Sequence, residues 1–591
     1  MHNFHIPVLG LAFSIDTPLK VARYGISSVV SIVDDELVER MREFHIREHN
    51  DEYIPIKKNE HDYRARRITA YLDMLNTYVA RQMTALKQQP FGEGHDIDRY
   101  FDMLPDGSAL KQKYLLMQQT TDVDLKHKLE QQLRSEMQSG SIDVNIMAKV
   151  DKMNYDKDGH STGEVNTDAL AALRGFAQSD LNASVILSAG MNPRLYSYLE
   201  EFRDFFPDVD GNTRKRVILK VSDYRSALIQ AKFLAKKGIW VHEFRIESGL
   251  NCGGHAFATD GLLLGPILQG FNEKRQEMVD ELQAIYLPAL SSKGYSVINN
   301  PSIRISVQGG IGTAAENNFL LEHYALDATG WGSPFLLVPE ATNVDDETLH
   351  QLTAAKPDDF YVSAASPLGV LFNNFKPASI QQLRLKRIAA HRPGSPCTKK
   401  YLCTNTEFTA EPICTASRQY QHLKIEQLMA ANLPGDELYR QVQEVTEKIC
   451  LCEGLAVSAY IKNNLLKPRE NKAVAICPGP NLAYFKATYS LDEMVKHIYG
   501  KLNLLKNVSR PNLFINELNL YLEYLNKEVA RSVNNMNTKK EKYLDKFRQQ
   551  LQQGIDYYKA LIPQISNQTL EYLQEMQTML QTCEAQLNAI A

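Results

Sequence analysis

The run Ser248-Gly249-Leu250-Asn251-Cys252-Gly253-Gly254-His255 places a titratable imidazole directly after a glycine pair. An imidazole titrates near pH 6.5, about where a general acid or base must work at neutral pH, so His255 is the candidate proton carrier. Glycines lacking a Cβ let the backbone approach a planar ligand closely, which marks Gly253 and Gly254 as candidate contacts. Two further patches, Gly309-Gly310-Ile311-Gly312 and Gly332-Ser333, each follow an apolar run. Backbone N–H groups in such turns bind phosphate oxygens, so Gly309, Gly310, Gly332 and Ser333 are candidate phosphate holders. Polar residues at the ends of other apolar runs add Asn145 and Lys220, with Ser188 and Ser248 from the same rim.

Thiols form a second chemical group. Six of the eight cysteines fall late in the chain: Cys397, Cys403, Cys414, Cys450, Cys452 and Cys477. Thiolates are soft ligands, and zinc or an iron–sulfur cluster takes about four of them. No pair has the two-residue separation of a strong metal signature. A metal or cluster held by four of the six, isolated reduced thiols and a redox-active pair are therefore all open. Cys252 reads as a small buried packing residue.

Eight short apolar runs are positioned to carry these residues: 6–11, 26–33, 142–148, 183–188, 217–221, 240–246, 303–307 and 325–331. Continuous apolarity is the mark of strands covered on both faces. The stretches between them read as helices, such as 18–24 closed by Gly25 and 223–237 closed by Gly238. Strand and helix in alternation predict an α/β fold, a (β/α)8 TIM barrel, whose chemistry sits at the C-terminal strand ends. In that barrel the Gly309-Gly310 and Gly332-Ser333 turns follow strands seven and eight, the usual phosphate position.

The signature resembles the glycine-glycine-histidine motif of nitronate monooxygenases, the 2-nitropropane dioxygenase-like flavoproteins. Val217-Ile218-Leu219-Lys220-Val221 precedes it in family order, and Val144-Asn145-Ile146 is similar to the family's glycine-valine-asparagine strand. Ser306-Val307-Gln308-Gly309-Gly310-Ile311 and Gly332-Ser333-Pro334-Phe335 resemble its two phosphate segments. The resemblance implies bound FMN, His255 as the base beside the flavin ring, and a small carbon acid as substrate. Enoyl reduction, as in related bacterial fatty-acid and polyunsaturated-fatty-acid enzymes, is equally implied. Two departures stand out: Asn251-Cys252 replaces the family's glutamate-alanine, and Gly10-Leu11-Ala12-Phe13-Ser14 replaces its glutamine-x-proline-methionine turn. An iron–sulfur cluster, if formed, would pass single electrons to the flavin, as in the related glutamate synthase barrels.

The chain divides into a barrel over 1–375, a cysteine-rich segment over 376–489 and a helical region over 490–591. A helical insertion at about 45–138 is expected on the catalytic rim, as a lid. The acidic run 151–159 has lysines inside it and no closing glutamate, so it reads as a solvated loop rather than a calcium site. In the last region Ser490 and Glu493 have the spacing of a capping box, and Tyr543, Phe547, Leu551, Ile555 and Tyr558 line one helical face, interrupted later by Pro563.

With 591 residues, 44% apolar and 23% charged, the composition is that of an ordinary globular protein of more than one domain. A net charge of -4 argues against a broad nucleic-acid footprint. No apolar stretch is long enough to cross a bilayer, and Met1-His2-Asn3-Phe4 begins no secretory signal, so a reducing, cytoplasmic setting is expected. No dinucleotide fingerprint appears outside the barrel, leaving NADH, NADPH or another electron donor open, as is homo-oligomerisation. Two other readings compete with the flavin enzyme: a non-catalytic barrel scaffold, and a phosphate-binding barrel enzyme without flavin.

Overall fold

The computed structural model describes residues 2–590 apart from 148–150, 156–159, 189, 248, 257–259, 296–300, 533–536 and 566–567. Ser248 and part of the acidic run 151–159 thus lie outside the described residues.

Eight parallel strands close into a barrel in chain order. They are β1 (Phe4–Ile6), β2 (Ser27–Ser31), β3 (Ile142–Ile146), β4 (Ala183–Leu187), β5 (Lys215–Val221), β6 (Val241–Glu247), β7 (Arg304–Gln308) and β8 (Ala328–Gly330). Closure is made by β8 pairing back onto β1, with His5 opposite Gly330. Within the sheet Lys220 stands opposite Arg245, and Arg245 opposite Ser306. The expected strands are all present, but the first is displaced from 6–11 to Phe4–Ile6. Pro7 has no N–H to donate to a ladder, so pairing stops before it.

Side chains alternate across each strand, one set toward the outer helices and the other into the lumen. Arg245 fills the lumen, its Nη2 3.5 Å from Asp143 Oδ2 and 2.9 Å from Glu243 Oε1. Ser306 Oγ donates to the same Glu243 oxygen at 2.5 Å. Burial alone would raise the Glu243 carboxyl, and Arg245 beside it overrides burial, holding it at about 2. Val29, Ile186 and Ile218 form a separate apolar cluster at neighbouring lumen positions. Two residues further along those strands, Ser31, Ser188 and Lys220 reach the C-terminal mouth.

Between β2 and β3 stand the helices Asp35–Glu48, Tyr63–Gln88, Asp96–Asp102, Ala109–Gln119 and Val123–Glu136. The inserted part is not a lid. Its longest helix packs along the barrel flank, where Thr69 Oγ1 donates to Gly175 O at 2.9 Å and Tyr71 Oη to Ile15 O at 2.7 Å. It is fastened by buried Asp35, which pairs with Arg64 at 2.8 Å and Arg67 at 2.9 Å.

The mouth is covered instead from beyond the barrel. An antiparallel hairpin of β9 (Phe360–Ser363) and β10 (Phe372–Phe375), the loop through Tyr401 and Leu402, and the helix Leu451–Lys462 lie over it. The cysteine-rich and helical regions share one continuous apolar core with the barrel. The capping box forms, with Ser490 and Glu493 each accepting from the other's backbone N–H. The C-terminal helices Leu513–Ser532, Thr538–Leu561 and Leu570–Ala589 pack together, with Phe547, Leu551, Ile555 and Tyr558 fully buried. The middle helix ends at Leu561, just before Pro563. Glu517, 1% exposed, ties this bundle to the barrel by accepting from Gly249 N at 2.9 Å and Leu264 N at 2.7 Å.

Replacing Asp35 by Ala leaves buried Arg67 without its carboxylate and Arg64 with only Asp168 at 3.8 Å, and chemical denaturation is expected to show a loss of about 3 kcal/mol. Burial raises the Glu517 carboxyl from 4.5 to about 7 despite its two backbone donors. The folded chain then holds that proton more tightly than the unfolded one, so the stability this gives is complete below pH 4.5 and lost as pH rises to about 7. Glu517→Gln carries no titrating proton. Its melting curve should be flatter over that window, the two proteins diverging by about 3 kcal/mol between the ends, and parallel profiles would contradict the assignment.

Candidate functional site

The strand ends open on a cavity of about 170 Å³. Ser31, Asn145, Ser188 and Lys220 form its polar floor, while Gly253, Gly254 and His255 lie across it. Its remaining walls are largely apolar, including Leu368, Phe372, Leu402 and Leu455.

His255 reaches this position because the segment after β6 turns across the mouth and is held like an extra strand. Gly254 N donates to Cys477 O at 3.0 Å, Asn373 N to Gly254 O at 2.9 Å and Ala256 N to Leu371 O at 2.8 Å. The imidazole Nε2 lies 2.8 Å from Ser366 Oγ, and its ring meets Phe372 edge-on at 5.3 Å. Ser366 Oγ also accepts from Leu368 N at 3.2 Å, which fixes the hydroxyl. Asn251 donates to His255 O at 2.7 Å and accepts from Asn373 Nδ2 at 2.5 Å. It brackets the histidine backbone.

On the floor, Lys220 Nζ pairs with Glu247 Oε2 at 2.8 Å, and Gln308 Nε2 donates to Glu247 Oε1 at 2.8 Å. The ammonium is thus fixed at the mouth. Sequence reasoning singled out neither Glu247, Ser366, Asn251 nor Asn373 as a site residue. The alternation along β6 pointed inward at Glu247, whereas nothing in the local sequence of Ser366 or Asn373 connects them to a histidine more than a hundred positions earlier.

The glycine turns are brought together, but around the chain itself. A Cβ on Gly309, whose φ is +99°, would stand 2.4 Å from Leu250 O, and one on Gly332 would stand 2.5 Å from Cys252 Cβ. Ser333 Oγ donates to Cys252 O at 2.9 Å and accepts from Gly479 N at 2.7 Å. Arg510 donates to Gly310 O at 2.6 Å. Gly309, Gly310, Gly332 and Ser333 do not line the mouth cavity. The cavity fits the edge of a planar ring; the turns, filled by residues 250–252, do not fit a phosphate as they stand. Cys252 is buried against Gly332, in keeping with packing.

The six late cysteines do not all converge on one point, although Cys397 interacts with Cys403, Cys414 and Cys450. Cys397, Cys403 and Cys414 border a separate groove, while Cys452 and Cys477 line the mouth cavity and Cys450 is buried at the start of the helix Leu451–Lys462. Among the described residues, no three His, Cys, Asp or Glu side chains are grouped so as to hold a metal ion. Also among them, no helix is long and apolar enough to cross a membrane.

No protein-family model matches the chain, and a search of curated proteins finds no match. Among solved structures, the chain is similar to the enoyl reductase domain of MlnA from the macrolactin biosynthesis cluster of Bacillus amyloliquefaciens. The identity is 13%, covering 74% of this chain and 89% of that one, with a TM-score of 0.33. It is also similar to a mutant of FabK from Thermotoga maritima, at 12% identity over 65% of this chain and 80% of that one, with a TM-score of 0.30. The barrel itself rests on the strand pairing of this chain.

The packing seen at Gly332 is open to test. If the turn serves to seat Cys252, Gly332→Ala overfills that contact and lowers stability by about 1–3 kcal/mol without any ligand present. An unchanged unfolding midpoint would remove the packing role.

Proposed function

We propose that this chain is a flavin-dependent oxidoreductase acting on a small carbon acid or an enoyl-type substrate, with the barrel-mouth cavity as its active site. The observation that carries the reading is the convergence of His255, Lys220, Asn145 and the Gly253-Gly254 pair on one largely apolar cavity at the C-terminal strand ends. His255, the glycine pair and Asn145 lie in the stretches that resemble nitronate monooxygenases, and Lys220 joins them as a polar residue of the same rim. Asn145, Lys220, Gly253 and Gly254 would hold the ring, and a bound flavin supplies two-electron transfer.

The chain's own part is proton handling and charge. His255 Nε2, oriented by Ser366, takes a proton from a carbon acid or returns one to it. The Lys220 ammonium, held by Glu247, stands where negative charge develops on the deprotonated substrate, and the apolar walls strengthen that attraction by excluding water. Leu368, Phe372 and Leu402 select for substrates with an apolar body.

The absorbance spectrum of the purified protein tests the cofactor. Flavin bands, or a rise in melting temperature on adding FMN, are expected. His255→Ala should keep the flavin and lower kcat by about 10²–10⁴-fold, and an undiminished rate would remove His255 from the proton-transfer role. The filled glycine turns favour a second reading, a barrel enzyme that uses His255 and Lys220 for proton transfer without flavin. A colourless protein that FMN does not stabilise would select it.

A further inference from the structure

Outside the barrel mouth, a groove of about 1020 Å³ is bordered by Cys397, Cys403 and Cys414 together with Arg392, Lys400 and Arg418. Cys397 and Cys403 are both half-buried, and their sulfurs stand 3.8 Å apart. A disulfide needs about 2.05 Å, so the gap to close is about 1.8 Å, within the reach of side-chain rotation. The groove is cationic, with Glu411 the one carboxylate against those three positive side chains. Arg418 lines the groove, and a guanidinium there is a matching partner for a carboxylate.

We propose that Cys397 and Cys403 form a reversible dithiol–disulfide pair that exchanges with a carboxylate-bearing small-molecule disulfide seated in this groove. The Cys397 sulfur, as thiolate, attacks one sulfur of the ligand's S–S bond, and the other half leaves and takes up a proton. Cys403 then gives up its proton and attacks Cys397 Sγ in the mixed disulfide, forming the Cys397–Cys403 bond and releasing the second half as a thiol. Two electrons pass to the ligand, and the two protons lost by the protein end on two small thiols. The Cys403 S–H hydrogen bond favours Cys397 as the attacking sulfur, although Cys414 and burial push its thiol up overall to about 12. The hydrogen bond to Cys397, with burial, pushes the Cys403 thiol up as well. The pair has a route to the active site: Tyr401 and Leu402, between the two cysteines, line the mouth cavity.

The full-length protein, equilibrated without oxygen over a series of oxidised-to-reduced glutathione ratios, is alkylated and digested with trypsin without reduction. Cleavage after Lys399 and Lys400 separates Cys397 from Cys403, and fragment ions distinguish Cys403 from Cys414. A Cys397–Cys403 linked peptide should rise in one two-electron transition, and Cys403→Ser should stop at a glutathione adduct on Cys397. Arg418→Gln should slow oxidation by glutathione disulfide severalfold while leaving oxidation by uncharged 2-hydroxyethyl disulfide unchanged. The proposal is overturned if no linked peptide forms at the most oxidising ratio. It is equally overturned by stoichiometric zinc or iron that disappears in Cys397→Ser and Cys403→Ser, which would make the thiols ligands.

Discussion

Arg245 in the barrel lumen is the interaction on which the rest is built. A guanidinium with 3% of its side chain exposed must have counter-charge, and it finds it in Glu243 on its own strand and Asp143 on β3, with Ser306 on β7 completing the contact. Removing Arg245 would leave Glu243 and Asp143 without their cation in a site of low polarity. The network therefore fixes how three strands stand relative to one another. Two residues along from its members are Asn145, Glu247 and Gln308, so the register it sets is also the register of the mouth.

At the mouth the same logic continues in weaker form. Gln308 orients Glu247, and Glu247 holds Lys220, so a cation is placed without being free to swing into solvent. His255 comes from a different source. It lies on the segment that leaves β6, and it is fixed by β10, Ser366 and the backbone of Cys477. The barrel supplies the charge and the covering elements supply the orientation of the imidazole. Chemistry at this site requires both.

That division explains why the regions after residue 375 are not appendages. The loop through Tyr401 and Leu402 and the helix Leu451–Lys462 wall the cavity, while the C-terminal bundle meets the barrel through Glu517 and the backbone of Gly249. A core continuous from the strands to the last helix couples all three regions. The contacts of Tyr401 with Asp34 and Asp35 join the cysteine-bearing loop to the inserted helices as well.

The sequence by itself determined the barrel and the helical tail. Runs such as Val217–Val221 are apolar on both faces, which suits a strand covered on each side, and the period of Phe547, Leu551, Ile555 and Tyr558 is that of one helical face. It also determined which residues could meet at the mouth, because Asn145, Lys220 and the segment ending in His255 each follow or end a strand whose direction the fold fixes. Tertiary structure alone decided what faces them. Whether a glycine turn meets a phosphate or another stretch of backbone is a matter of three-dimensional proximity, and Gly309 and Gly332 meet residues 250–252. The same holds for the cysteines: their spacing left the grouping open, and packing set Cys397 beside Cys403 and Cys414, with Cys450 and Cys452 near enough to interact and Cys477 at the mouth. Periodicity is a local property of the chain, whereas these contacts join residues tens to hundreds of positions apart, and no local pattern encodes them.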